Sequence, residues 1–150
     1  MYLTSEDLHA KLKEFFGFDQ FKGNQEAIIS HLIAGGNAFV LMPTGGGKSL
    51  CFQVPSLMRD GIAIVITPLI ALMKDQVRNL QSRGIKALAI YSGMTYREID
   101  ITLDSAIYGD YKFLYVSPER LRTEPQDRHR RQARRGEPQD LHLAVRASHL

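Results

Sequence analysis

Apolar residues recur at helical spacing in five stretches of the chain. Thr4 and Asp7 have the spacing of a capping box, and the apolar face that follows them stops at Gly17. Thr95 and Glu98 repeat this signal before the last stretch, which Gly109 ends. Ile99, Leu103, Ala106 and Ile107 mark the apolar face of that last helix. The five predicted helices begin after Thr4, after Asn24, at Lys48, at Leu69 and after Thr95.

Four short apolar runs without helical spacing separate these stretches, at residues 38–42, 62–66, 87–90 and 112–116. Continuous runs rich in β-branched residues are typical of strands buried on both faces of a parallel sheet. The alternation predicts an α/β fold, in which helices flank a parallel sheet and two helices precede it. Polar loops at 43–48, 67–68 and 117–120 follow three of the strands, so we expect them to share the ligand-binding edge.

The first of these loops, Thr44-Gly45-Gly46-Gly47-Lys48-Ser49, stands between a predicted strand and a predicted helix. Strand, glycine turn, Lys-Ser and helix form the layout of a phosphate-binding loop. Glycines let backbone N–H groups approach an anion, and the helix start adds further donors. Met42 stands where the general pattern has its first glycine. The alternative interpretation is a flexible turn followed by Lys-Ser by chance.

Composition limits the remaining possibilities. The one cysteine, Cys51, excludes an internal disulfide and a cysteine-based zinc cluster, and we expect it to pack beneath the glycine loop. No apolar run reaches transmembrane length, and the N-terminus is not a signal peptide, so we predict a soluble cytoplasmic protein without membrane contact.

Charge divides the chain near Glu124. Residues 1–124 hold 13 basic and 13 acidic side chains, whereas residues 125–150 hold 6 arginines, no lysine and 3 acidic side chains. This arginine-rich tail lacks Phe, Tyr, Ile and Met, so we predict disorder there. It is either an out-of-frame or misjoined end, or a natural basic tail that docks on nucleic acid phosphates. The predicted domains are therefore 1–124 and 125–150.

Residues 8–124 resemble the start of a RecQ-type DNA helicase, a superfamily-two motor, because four blocks agree in order. The blocks are 16–25, which resembles the adenine-recognition block, 42–53, the phosphate loop, and 67–76 and 115–121, two DNA-contacting blocks. The resemblance implies the incomplete first lobe of a RecA-like P-loop NTPase that uses ATP and Mg²⁺ and acts on DNA.

The same resemblance implies roles for individual residues. Lys48 would bind the β- and γ-phosphates as the catalytic lysine, Ser49 would hold Mg²⁺, and Gln25 would pair with adenine. The nucleotide-binding residues would be Phe18, Lys22, Gln25, Thr44, Gly45, Gly46, Gly47, Lys48 and Ser49. The DNA-binding residues would be Thr67, Pro68, Leu69, Lys74, Ser117, Pro118, Glu119 and Arg120.

Two departures from the family pattern change the functional expectation. Lys22-Gly23-Asn24 replaces the usual Arg-Pro before Gln25, and Lys lacks the planar fork of Arg. The family continues into an Asp-Glu-Ala-His block and a second motor lobe, for which the sequence offers no match. We therefore expect an N-terminal fragment of a 3′-to-5′ repair and recombination helicase that alone neither hydrolyses ATP nor unwinds DNA. The alternatives are a non-catalytic nucleotide- and nucleic-acid-binding module and a non-functional truncated product; the oligomeric state stays open.

Overall fold

The computed structural model describes residues 3–43, 45 and 47–121, together with the backbone of a strand at Leu143–Arg146. The chain divides into two compact units, residues 1–60 and residues 61–150, and each is described by itself. None of the helices in the described part of the chain is long and apolar enough to span a membrane.

The first unit contains three helices, α1 (Ser5–Phe16), α2 (Gln25–Ile33) and α3 (Lys48–Leu57). The predicted capping box of α1 is confirmed: the Thr4 hydroxyl accepts from the Asp7 N–H, and the Asp7 carboxylate accepts from the Thr4 N–H. The helix α3 packs against both α1 and α2. Each helix contributes at least one side chain that is fully buried, namely Leu12, Ile29 and Val54.

The prediction of a strand at residues 38–42 is wrong. This run has no regular secondary structure, and it leaves Phe39 and Leu41 exposed by 87% and 74%. A strand is stable only when its N–H and C=O groups pair with a neighbouring strand. The described sheet is built from four other segments, so residues 38–42 have no partner strand among the described residues.

The second unit is built on a parallel sheet. Three of its strands match the predicted ones, β1 (Ala63–Ile66), β2 (Ala87–Ile90) and β3 (Phe113–Val116), and β3 pairs with both of the others. The helix α4 (Ile70–Ser82) connects β1 to β2, and α5 (Tyr96–Tyr108) connects β2 to β3. The alternation of strands and helices predicted an α/β fold with a parallel sheet, and this prediction is confirmed.

Helices cover both faces of this sheet. The helix α5 lies over the face that Leu114 and Val116 present, where Ile99 and Leu103 pack. On the opposite face the Tyr115 hydroxyl donates to Gln76 Oε1 of α4 over 2.8 Å. The helix α5 begins with the predicted Thr95–Glu98 capping box. Its predicted apolar face is only partly correct, because Ile107 is 68% exposed.

A fourth strand, β4 (Leu143–Arg146), pairs in parallel with the free edge of β1, so that the order of strands is β2-β3-β1-β4. This strand lies within the tail for which we predicted disorder, and its backbone differs from that prediction. The rest of the predicted tail lies outside the described residues.

Candidate functional sites

The start of α3 has the backbone geometry that an anion-binding loop needs. Gly45 and Gly47 adopt left-handed φ values of 81° and 82°, which L side chains rarely adopt. Gly47 is the N-cap of α3, and Lys48 and Ser49 are its first two residues. The first N–H groups of a helix have no partner within the helix, and its dipole is positive at this end. Thr44 and Gly46 lie outside the described residues.

Gln25 fastens this loop to the segment between α1 and α2. Its side chain is only 2% exposed, and its Oε1 accepts from the Lys22 N–H over 2.8 Å. Its Nε2 donates to the Gly47 carbonyl over 3.0 Å. A Cβ atom added at Gly47 would collide with Gln25 Nε2, so a larger residue there would displace the Gln25 amide in addition to straining the backbone. Both polar atoms of the Gln25 amide, which was predicted to recognise adenine, are thus hydrogen-bonded to the backbone.

A groove of about 490 Å³ lies beside Lys22, whose N–H is bonded to Gln25. Lys22, Gly23 and Asn24 line one part of it, and residues 38–43 line another. Its volume falls within the range of small-molecule sites. Phe18, the other residue predicted to contact adenine, is 48% exposed and does not line the groove. The predicted nucleotide contacts of Phe18, Lys22 and Gln25 stay predictions.

Cys51 is buried and contacts the glycine loop at Gly47. Its side chain is 4% exposed, and its thiol donates to the Gly47 carbonyl at a sulfur–oxygen distance of 3.8 Å. Burial raises the pKa of the Cys51 thiol, because the thiolate would lose its hydration there. The thiol therefore stays neutral at pH 7, and this fits the predicted packing role better than a reactive one.

The residues present fit a triphosphate. Two left-handed glycines, a helix start and a lysine supply N–H donors and positive charge in one place. For Mg²⁺ the protein offers the Ser49 hydroxyl, and the ion would take its other ligands from phosphate oxygens and waters. Among the described residues, no group of three or more His, Cys, Asp or Glu side chains could hold a metal ion.

In the second unit, Thr67 and Ser117 directly follow β1 and β3, which are paired strands. The Thr67 N–H donates to the Val116 carbonyl over 3.2 Å. Their side chains are 2% and 1% exposed, and within the described part of the chain neither hydroxyl has a hydrogen-bond partner. The sequence predicted that the loops at 43–48, 67–68 and 117–120 share one edge. This is confirmed for the loops at 67–68 and 117–120, whereas the residues before position 43 form no strand of the described sheet. The neighbours Pro68, Leu69, Pro118 and Glu119 are exposed, and the DNA contacts predicted for this edge stay predictions.

Arg120 is engaged with a loop that the sequence did not single out. Its Nε donates to the Tyr91 carbonyl over 3.3 Å, and its Nη2 donates to the Met94 carbonyl over 3.1 Å. Ser92 of the same loop donates to Glu119 Oε2 over 3.5 Å. Lys74, on the exposed side of α4, places its ammonium 4.6 Å from the centre of the Tyr91 ring. Tyr91 therefore joins the predicted residues Lys74, Glu119 and Arg120 in one cluster.

The comparison with protein families gives the class of this protein. The DEAD/DEAH box helicase model matches residues 22–143, which is more than half of the chain. This match spans the glycine loop of the first unit and all three strands predicted in the second. The chain belongs to the DEAD/DEAH box helicase family.

Within that family, the chain is similar to RecQ-type proteins. It is 46% identical over 112 residues to the ATP-dependent DNA helicase RecQ of Haemophilus influenzae, covering 75% of this chain and 18% of that protein. It is 43% identical over 116 residues to the probable ATP-dependent DNA helicase RecS of Bacillus subtilis, covering 77% and 23%. It is 48% identical over 111 residues to the RecQ of the same organism, covering 73% and 19%. The resemblance predicted from the sequence is confirmed, and the chain spans about a fifth of the length of these relatives.

Proposed function

We propose that this chain is the nucleotide- and DNA-binding N-terminal part of a RecQ-type ATP-dependent DNA helicase. The observation that carries the proposal is the start of α3, where Gly45, Gly47 and Lys48 form a fitting cradle for a triphosphate. The exposed residues after β1 and β3 provide a second, separate surface for the DNA backbone. The cytoplasmic location predicted from the sequence belongs to this proposal.

Each part of the first site has a role in nucleotide binding. The loop N–H groups and Lys48 hold the phosphates, while Ser49 contributes a hydroxyl to Mg²⁺. Mg²⁺ held there would supply positive charge beside the phosphates. Lys22 and the groove beside it would receive the nucleoside, with Gln25 holding the loop in place.

The proposal limits what the 150-residue chain does alone. Phosphoryl transfer to water needs a metal held from two sides, a positioned water and added positive charge in the transition state. The described residues supply the cradle, Lys48 and the Ser49 hydroxyl. We therefore expect this chain to bind ATP without turning it over, and 3′-to-5′ unwinding in repair and recombination to belong to the whole protein.

The proposal is tested with the purified chain in three assays. We expect saturable binding of a fluorescent ATP analogue that needs Mg²⁺, salt-dependent binding of single-stranded DNA, and no phosphate release above background with or without DNA. Turnover that Lys48→Ala abolishes would contradict the limit on activity. Absence of both ATP and DNA binding in a cooperatively folded chain would contradict the proposal itself.

A non-catalytic nucleic-acid module is the second candidate, and the arginines of residues 125–150 favour it. In that case DNA binding would survive Lys48→Ala and would disappear when residues 125–150 are deleted. The leading proposal expects the deletion variant to keep ATP binding and to keep the DNA contribution of Lys74.

A further inference from the structure

Lys74 has no ion-pair partner among the described residues. It lies in the second turn of α4 with its side chain exposed, and within the described residues no carboxylate lies at ion-pair distance from its ammonium. Its neighbour Asp75 instead approaches Arg78, with 3.6 Å between Oδ1 and Nη1. Its contact is the Tyr91 ring, whose centre lies 4.6 Å from Nζ. This distance is well inside the range of cation–π attraction.

Tyr91 is held in place through its backbone. Its carbonyl accepts from the Met94 N–H over 3.4 Å and from Arg120 Nε over 3.3 Å. Arg120 also holds the Met94 carbonyl, so both ends of the turn 91–94 are tied to the segment after β3. The Tyr91 side chain is half-buried. The backbone that carries the ring is thus tied at both ends of the turn, and the ring lies beside Lys74 of α4.

We propose that Tyr91 is a positioning residue for DNA binding, whose ring holds the Lys74 ammonium ready for a phosphate of single-stranded DNA. The inference rests on the proposed function, in which Lys74 contacts the DNA backbone. Arg120 acts through the same route, because it fixes the turn that carries Tyr91.

A ring suits this task better than a carboxylate. A lysine side chain has four rotatable bonds, so an exposed ammonium loses much conformational freedom when it binds a phosphate. An acidic partner would restrict it but would also cancel its charge. An aromatic face restricts the ammonium through its quadrupole and leaves the full positive charge for the phosphate.

The structure also contains a matched control. Lys86 Nζ lies 5.5 Å from the centre of the Tyr111 ring in the same unit. Lys86 precedes β2 and Tyr111 precedes β3, so this pair lies at the amino ends of the strands, opposite to the edge of the proposed DNA site. Both pairs place a lysine ammonium near a tyrosine ring, although Lys86 Nζ also donates to the Gly109 carbonyl over 2.9 Å, and the two pairs lie at opposite ends of the strands.

The experiment measures the affinity for fluorescein-labelled single-stranded oligothymidine between about 50 and 200 mM KCl. Lys74→Met is expected to reduce the slope of log affinity against log salt by about 0.7, the contribution of one phosphate on a single strand. Tyr91→Leu is expected to weaken binding about two- to fivefold. Tyr91→Phe keeps the ring and is expected to bind like wild type, as is the control Tyr111→Leu.

The double variant Lys74→Met/Tyr91→Leu decides whether Tyr91 acts through Lys74. We expect it to bind no more weakly than Lys74→Met alone. An equal loss from Tyr91→Leu in both backgrounds, or no loss at all, would overturn the role of Tyr91. An unchanged slope in Lys74→Met would overturn the DNA contact of the proposed function as well.

A measurement on the wild-type chain tests the contact between Lys74 and Tyr91 even if a variant does not fold. A methylene group near an aromatic face has its proton resonance shifted upfield by the ring current. We expect this shift for the Lys74 Hε protons, and its loss in Tyr91→Leu but not in Tyr91→Phe. Unshifted Hε protons in the wild-type chain would contradict the proposed geometry.

Discussion

Lys48→Ala is expected to weaken ATP binding at least tenfold. Lys48 is the first residue of α3, where the helix dipole and the first N–H groups of the helix favour an anion. The ammonium adds charge-assisted hydrogen bonds to the phosphates, and one such bond contributes about 1.5–3 kcal/mol. Every 1.4 kcal/mol corresponds to about a factor of ten in affinity. The measurement is a titration of the chain against a fluorescent ATP analogue in the presence of Mg²⁺.

The control for this prediction is Lys11→Ala. Lys11 lies on α1, where its ammonium is paired with Glu14 over 2.7 Å. The Lys11→Ala substitution removes the same charge from the same unit as Lys48→Ala. We expect Lys11→Ala to bind the analogue like wild type. Equal affinity of Lys48→Ala and wild type would show that the loop at the start of α3 is not the phosphate site.

Gln25→Ala is expected both to destabilise the first unit and to weaken ATP binding about tenfold. The buried amide satisfies the Lys22 N–H and the Gly47 carbonyl, and its removal leaves both without this partner. A buried polar group without its hydrogen bond costs about 1–3 kcal/mol. Release of Gly47 also lets the loop leave the geometry that suits a phosphate. Urea unfolding followed by circular dichroism measures the first effect, and the analogue titration measures the second.

Two further variants sharpen this prediction. Gln25→Glu keeps an acceptor for the Lys22 N–H but loses the donor for the Gly47 carbonyl, so we expect it to resemble Gln25→Ala. Gln20→Ala changes an exposed glutamine in the same connecting segment, and we expect it to have no effect. If Gln25→Glu matches wild type in stability and affinity, the bond to Gly47 has no role in the site.

The sequence predicts elements well where the signal is local. The two capping boxes join residues only three positions apart, Thr4 with Asp7 and Thr95 with Glu98, so the helix starts follow from the sequence itself. The strands of the second unit carry apolar runs that suit burial on two faces, and they form a parallel sheet as predicted.

The prediction fails where the outcome depends on distant neighbours. Residues 38–42 have the composition of a buried strand, but composition does not supply the partner that a strand must pair with. Ile107 has helical spacing with Leu103, yet it is exposed, whereas Leu103 packs against the sheet. Both errors come from interactions that the local pattern does not encode.

The candidate sites show the same limit. The glycine loop and Lys48 are visible in the sequence because their spacing is itself the signal. The hydrogen bond from Gln25 to Gly47 joins positions 22 residues apart, and the hydrogen bond from Arg120 to Tyr91 joins positions 29 residues apart. A single sequence gives no sign of such pairs. Tyr91 therefore emerges only from the structure.

The most direct test of the account follows backbone amide resonances of the chain while Mg²⁺ and ATP are added. We predict that the amide signals of Gly45, Gly47 and Lys48 move progressively to saturation, whereas the Tyr111 amide at the amino end of β3 does not move. Amide signals of Gly45, Gly47 and Lys48 that stay unchanged at saturating nucleotide would contradict the account.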